Sequence, residues 1–235
     1  MHCIRSLLKI YAAVLESMAF NAKSVDYSLY LVTDRSLSRG RATSVIVASA
    51  IKGGVSCVQL REKKLGTRDF INEAKMLNTL LLSKGIPLII NDRVDVALAV
   101  KAAGVHLGQS DMSIEDARRI LGTTSIIGIS AECLEDAVKA EKQGADYIGI
   151  SPVFSTATKT DTAPPLGLAG LYEIRTQVSL PLVALGGINI ENCSQVITSG
   201  ADGIAVVSAI VSAPSPEHAA SELRQIIAKT RGTRQ

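Results

Sequence analysis

The chain has no tryptophan, and aromatic residues make up only 3% of its 235 positions. That scarcity argues against the stacking platforms on which single-stranded nucleic acids are bound. The formal net charge is +3, with Lys and Arg scattered along the chain, so the basic stripe of a duplex binder is missing as well. Nucleic acid is therefore not an expected partner. The four cysteines, Cys3, Cys57, Cys133 and Cys193, form no CxxC pair. Such spacing argues against a zinc site or a disulfide framework, and for reduced, mostly buried thiols in a cytoplasmic protein. No stretch approaches the roughly 18 uninterrupted apolar residues that cross a bilayer. With only 7 prolines and 18 glycines, the disordered and fibrous classes also fall away.

What is present is 47% hydrophobic and 20% charged residues, spread evenly, which suits a soluble protein of one or at most two domains. The opening MHCIRSLLKIYAAVLESMAF carries Arg5 and Lys9 before a short apolar stretch, the outline of a signal peptide. Lys9 and Glu16 interrupt that stretch, and no clean small-residue cleavage site follows. The expectation is an amphipathic helical extension over residues 1–26, followed by a single domain over 27–235.

From Tyr27 onward, short apolar runs alternate with segments whose apolar spacing is helical. The runs are SLYLVT (28–33), VSCVQL (55–60), IPLIIN (86–91), GVHL (104–107), SIIGI (125–129), DYIGI (146–150), PLVAL (181–185) and GIAVV (203–207). They are apolar on both faces, as parallel strands covered by helices must be. Eight βα units in 235 residues predict a (β/α)8 TIM barrel with an extra N-terminal helix, close to the typical ~250 residues of that fold. A doubly wound open sheet is the competing arrangement. It would carry a Gly-rich turn after the first strand, where this chain has Thr33, Asp34 and Arg35.

A barrel builds its active site from the loops after the C-terminal strand ends. At the second of these ends, Gln59, Arg61 and Lys63 share one side of an extended chain. An Arg fork beside a Lys point charge suits phosphate or pyrophosphate oxygens, the alternative being a solvated loop with Glu62 paired to a neighbour. Asn91 and Asp92 close the third strand, and Asp111 follows the fourth. Two carboxylates near a polyphosphate are the usual minimal protein share of a Mg2+ site, since Mg2+ keeps waters and takes substrate oxygens. As an alternative, Asp92 and Asp111 each cap the helix that follows. His106 is a candidate substrate contact or a satisfied structural histidine, and Ser130 offers a hydroxyl after the fifth strand. Residues 151–167, SPVFSTATKTDTAPPLG, form a long Thr-rich loop centred on Lys159, a candidate substrate lid. Gly186, Gly187, Val207 and Ser208 stand where barrels often hold a phosphate through backbone amides and a short helix. The residues alone thus point to two anion grips, one cationic with a Mg2+ site and one built of amides.

The segments QLREK (59–63), NDR (91–93), GVHLGQSD (104–111), STATK (155–159), GGI (186–188) and ADGIAVVSAI (201–210) together resemble the thiamine-phosphate synthases, over about residues 29 to 211. What the resemblance implies is the coupling of 4-amino-2-methyl-5-hydroxymethylpyrimidine diphosphate with a thiazole phosphate, giving thiamine phosphate and pyrophosphate. It implies that Gln59, Arg61, Lys63, Asn91, Ser130 and Lys159 hold the pyrimidine diphosphate, with His106 grouped beside them. It implies Mg2+ on Asp92 and Asp111, and the thiazole phosphate on Thr156, Ala157, Thr158, Gly187, Val207 and Ser208. Arg61, Lys63, Ser130 and Lys159 are the residues expected to act in catalysis. Ser151 departs from the Gly that many relatives place before Pro152. Related thiazole tautomerases, sugar-phosphate epimerases and isomerases, and a non-catalytic thiamine phosphate binder are the competing functions. A homo-oligomer is compatible with the sequence.

Overall fold

The computed structural model describes residues 20–156 and 164–233. Eight parallel strands close on themselves in sequence order. They are β1 (Leu29–Val32), β2 (Cys57–Leu60), β3 (Leu88–Asn91), β4 (Gly104–Leu107), β5 (Ile126–Ala131), β6 (Tyr147–Ile150), β7 (Leu182–Leu185) and β8 (Gly203–Val206). Between and after them run α1 (Thr43–Lys52), α2 (Thr67–Leu82), α3 (Val94–Val100), α4 (Ile114–Leu121), α5 (Leu134–Lys142), α6 (Gly167–Gln177), α7 (Cys193–Thr198), α8 (Ser208–Val211) and α9 (Pro216–Gly232). The expected (β/α)8 barrel is what the chain forms. Its closing seam pairs Leu29 with Ile204 and Leu31 with Val206.

Strand alternation divides the apolar residues between two cores. Leu29, Leu31, Val58, Leu60, Ile90 and Ile148 face outward under the helices. Tyr27, Tyr30, Val32, Cys57, Ile89, Ile126, Tyr147 and Val183 fill the barrel itself. Two-residue periodicity then carries Gln59 above Cys57, Asn91 above Ile89, and Ser130 above Ile126, all on the inner wall toward the C-terminal mouth. β5 runs to Ala131, two residues beyond the expected 129, so Ser130 belongs to the strand and not to the loop.

Of the expected N-terminal helix, residues 1–19 lie outside the described residues. Residues 20–26 hold a single 3-10 turn at Ala22–Ser24, capped by Asn21, whose side chain accepts from the Lys23 amide. Asp26 then pairs with Arg224 of α9 at 2.8 Å. Cys57 and Cys193 are buried and Cys133 is half-buried, all as free thiols. Cys3 lies outside the described residues. Among the described residues, no helix is long and apolar enough to cross a membrane.

Candidate active site

At the mouth, the ends of β1 and β2 are stitched together. The Thr33 amide donates to Gln59 O at 2.9 Å, and Thr33 Oγ1 accepts from the Arg61 amide at 3.0 Å. The Arg61 guanidinium donates to Asp34 Oδ2 at 2.8 Å. Asp34 is buried and also accepts from the Ser36 amide at 2.9 Å. Lys63 donates instead to Asp92 Oδ2 at 2.5 Å. Gln59, Arg61 and Lys63 therefore share a strand end, but each is held by a different acidic or phenolic partner. Glu62 does pair with a neighbour, Arg35, at 3.2 Å. That pairing turns Glu62 away from the two cations instead of neutralising them.

Neither aspartate is a helix cap. Asp92 has a left-handed backbone (φ 60°), and the residue preceding α3 is Arg93, which makes no side-chain cap bond. Ser113 caps α4 by accepting from the Asp116 amide. Asp111 accepts instead from the Gly108 amide at 2.7 Å. Partial burial, with the charge of neighbouring Asp92 adding to it, pushes the Asp111 carboxyl above its ordinary range, while the Gly108 amide pulls the other way. Two mutually repelling carboxylates at adjacent strand ends form a hard-oxygen pair that suits a divalent cation. Among the described residues no third His, Cys, Asp or Glu joins them.

Below the mouth lies a polar thread that the sequence reading missed. Gln59 Nε2 donates to Tyr30 Oη at 3.2 Å, and Tyr30 Oη meets Tyr147 Oη at 3.0 Å. Tyr147 Oη meets His106 Nδ1 at 2.9 Å, and His106 Nε2 meets Ser130 Oγ at 3.0 Å. Tyr30 and Tyr147 are fully buried and Gln59 and His106 nearly so, and these bonds give their polar atoms partners inside the barrel. Two glycines make the space: a Cβ on Gly128 would lie 2.1 Å from Tyr147 Cζ, and one on Gly149 would lie 2.8 Å from His106 Cε1. The available signal was Tyr30 itself, an inward phenol at the register position of Cys57, next to Gln59.

The residues expected to form the second grip lie across the barrel mouth. Gly187 has φ 62°, and a Cβ there would sit 2.6 Å from Ser155 O, so the β7 loop packs flush against the start of the loop after β6. Asn192 braces Gly187 by donating to its carbonyl at 2.9 Å. Val207 is half-buried and Ser208 opens the one-turn helix α8. From the loop after β1, Arg41 donates to Val211 O at 2.6 Å and Ala213 O at 2.9 Å, holding the far end of that turn. Thr156 is described and half-buried. Ala157, Thr158 and Lys159 lie outside the described residues.

Residues 29–210 match the thiamine monophosphate synthase family. The chain is 52% identical over 211 residues to the thiamine-phosphate synthase of Albidiferax ferrireducens, covering 90% of this chain and 96% of that one. It is 54% identical over 201 residues to the thiamine-phosphate synthase of Syntrophomonas wolfei, covering 86% and 96%. A thiamine phosphate pyrophosphorylase from Pyrococcus furiosus has a similar structure, with a TM-score of 0.81 and 42% identity, over 88% of this chain and 98% of that chain. A 3-hexulose-6-phosphate synthase shares the fold alone, at 15% identity and a TM-score of 0.61.

Proposed function

Because the chain belongs to the thiamine monophosphate synthase family, we propose that its barrel mouth joins 4-amino-2-methyl-5-hydroxymethylpyrimidine diphosphate to 4-methyl-5-(2-phosphoethyl)thiazole or its carboxylated form. The products are thiamine phosphate and pyrophosphate. The observation that carries this reading is the separation of two anion grips. Arg61, Lys63 and the Asp92–Asp111 pair stand at the ends of β2 to β4, and Gly187, Val207 and Ser208 stand at the ends of β7 and β8.

In this reaction the methylene C–O bond breaks and its electron pair leaves on pyrophosphate. The thiazole nitrogen then gives its lone pair to the methylene carbon, forming the new C–N bond. Arg61 and Lys63 neutralise charge that grows on the departing pyrophosphate, and they do so from positions fixed before the reaction by Asp34 and Asp92. Gln59 and Ser130 orient the pyrimidine from the inner wall. The β7 and β8 loops hold the thiazole by its phosphate, so that its nitrogen approaches the methylene carbon in line. Asp92 and Asp111 would hold Mg2+, which supplies Lewis-acid stabilisation of the pyrophosphate oxygens when bound. Lys159 is assigned to the pyrimidine diphosphate and Thr158 to the thiazole phosphate by the family resemblance alone, since both lie outside the described residues. A cytoplasmic location accords with the free thiols of Cys57, Cys133 and Cys193.

The test is product formation by purified protein given both substrates and Mg2+, with and without EDTA. Mg2+-dependent thiamine phosphate is the expected result. Absence of product, with thiazole phosphate still bound, would overturn the coupling reaction and leave a thiazole-phosphate-processing or binding protein.

A further inference from the structure

Gln59, Tyr30, Tyr147, His106 and Ser130 are linked by a continuous run of hydrogen bonds across the barrel interior, with links of 3.2, 3.0, 2.9 and 3.0 Å. With Gln59 Nε2 as the donor to Tyr30, proton counting gives the rest of that chain its direction. Burial pushes both Tyr30 and Tyr147 far above the usual tyrosine range, so each phenol keeps the one proton it can donate. Tyr30 receives from Gln59 Nε2 and passes its own proton toward Tyr147. Tyr147 passes its proton to His106 Nδ1. A neutral imidazole accepting at Nδ1 carries its proton on Nε2, and this donates to Ser130 Oγ. The hydroxyl proton of Ser130 is then turned toward the ligand, while Gln59 Oε1 is left as an acceptor. Tyr30, Tyr147 and neutral His106 each have a single proton, so no inner link can reverse alone: while Gln59 Nε2 donates into the chain, its Oε1 is the outward acceptor and the Ser130 hydroxyl is the outward donor.

We propose that Tyr30, Tyr147 and His106 are positioning residues whose relay sets Gln59 as acceptor and Ser130 as donor, and thereby selects a 4-aminopyrimidine over its 4-oxo counterpart. The proposal rests on the reading of Gln59 and Ser130 as pyrimidine contacts. An aminopyrimidine presents N–H donors on its exocyclic nitrogen and lone pairs on its ring nitrogens. The 4-oxo ring inverts that pattern, with an acceptor oxygen outside and a proton on a ring nitrogen. A relay running the opposite way would suit the oxo ring. Since the polar ends are desolvated when a ring binds, the mismatched ring leaves them unpaired, and discrimination of at least about a hundredfold is expected. Gly128 and Gly149 keep the two central rings in contact, because a side chain at either would collide with Tyr147 or His106.

Two measurements on the full chain decide it. The first is nitrogen NMR of the imidazole of His106 at pH 7, assigned by loss of its signal in His106→Asn. A neutral Nε2–H tautomer is expected; an Nδ1–H tautomer or an imidazolium would overturn the relay. The second is the ratio of kcat/KM for the 4-amino and 4-oxo pyrimidine diphosphates. Tyr147→Phe removes the central link, and its preference should fall to within about tenfold while KM for the thiazole phosphate stays put. Tyr30→Phe should move the ratio in the same direction. Equal losses for both pyrimidines, with the preference intact, would make the tyrosines packing residues and refute the proposal. If wild-type protein turns over neither pyrimidine, the coupling reaction itself fails. The tautomer, and the calorimetric preference for the 4-amino over the 4-oxo diphosphate, still decide the relay in that case.

Discussion

The Lys63 ammonium lies 2.5 Å from Asp92 Oδ2, so a cation from the end of β2 is set against a carboxylate from the end of β3. The lysine is half-exposed, and such a pair contributes little to stability. Its consequence is placement: Asp92 is held beside Asp111, whose carboxyl is pushed up by partial burial and by that neighbouring charge. Replacing Asp111 with Asn removes a repulsion together with a hard ligand. Asp111→Asn should therefore keep or slightly raise Tm while the Mg2+ concentration needed for half-maximal turnover rises about tenfold or more. A Mg2+ titration of turnover beside a thermal melt checks both arms; an unchanged Mg2+ curve would remove Asp111 from the metal assignment.

Arg61 and the β7–β8 grip serve different substrates in the proposed reaction. Arg61→Ala takes away a charge-assisted donor and leaves buried Asp34 with its Ser36 contacts alone. Affinity for the pyrimidine diphosphate should drop about tenfold to a hundredfold, with thiazole phosphate affinity changed by less than about twofold. Isothermal titration of each ligand separately reads the two effects, and equal losses would contradict the picture of separate grips.

The barrel was legible in the sequence because parallel strands covered on both faces are written as continuous apolar runs, and eight of them recur with helical spacing between. The strand-end rule then pointed to Gln59, Asn91, His106 and Ser130, which the structure does place on the inner wall. What no local pattern carries is the identity of side-chain partners. Tyr30 and Tyr147 are 117 positions apart, and Arg41 reaches a carbonyl 170 positions away. The two aspartates also read plausibly as caps, since Asp is a common cap residue. Only the left-handed backbone at Asp92 and the capping by Ser113 exclude that reading. A chain poor in aromatics proves to concentrate them: of its five tyrosines, Tyr27, Tyr30 and Tyr147 meet inside the barrel, with Tyr27 and Tyr147 centroids 4.7 Å apart.

That concentration makes Gly128 sensitive. A Cβ there would fall 2.1 Å from Tyr147 Cζ, and Tyr147 is 1% exposed. Gly128→Ala should cost about 1–3 kcal/mol of stability by overpacking. Gly66→Ala is the control, because its φ of −63° suits any residue and nothing lies within 4 Å of its Cβ position. It should change stability by less than about 0.5 kcal/mol. Urea unfolding of both variants gives the comparison, and a neutral Gly128→Ala would show that the interior tolerates displacement of the Tyr147 ring.

Arg41 supports the proposed second grip from outside it. Its guanidinium donates to Ser38 O at 3.1 Å within its own loop and to Val211 O and Ala213 O at 2.6 and 2.9 Å at the end of α8. Ser212 returns a bond to Leu37 O at 3.2 Å, so the loop after β1 is fastened to α8 from both sides. The helix is one turn long and has no side-chain cap at its start, so its orientation depends on what grips its end. Arg41→Gln removes the charge and shortens the reach, and it should raise KM for the thiazole phosphate about tenfold while changing KM for the pyrimidine diphosphate by less than about twofold. Arg41→Lys, which keeps the charge but loses the fork, should recover part of that difference. Because Asp34 and Arg41 flank the same loop, a merely structural role would loosen both grips together. Steady-state kinetics with each substrate varied in turn separates the cases: a matched rise in both KM values would assign Arg41 to the loop as a whole, and a rise confined to the thiazole phosphate would assign it to the seat at Val207 and Ser208.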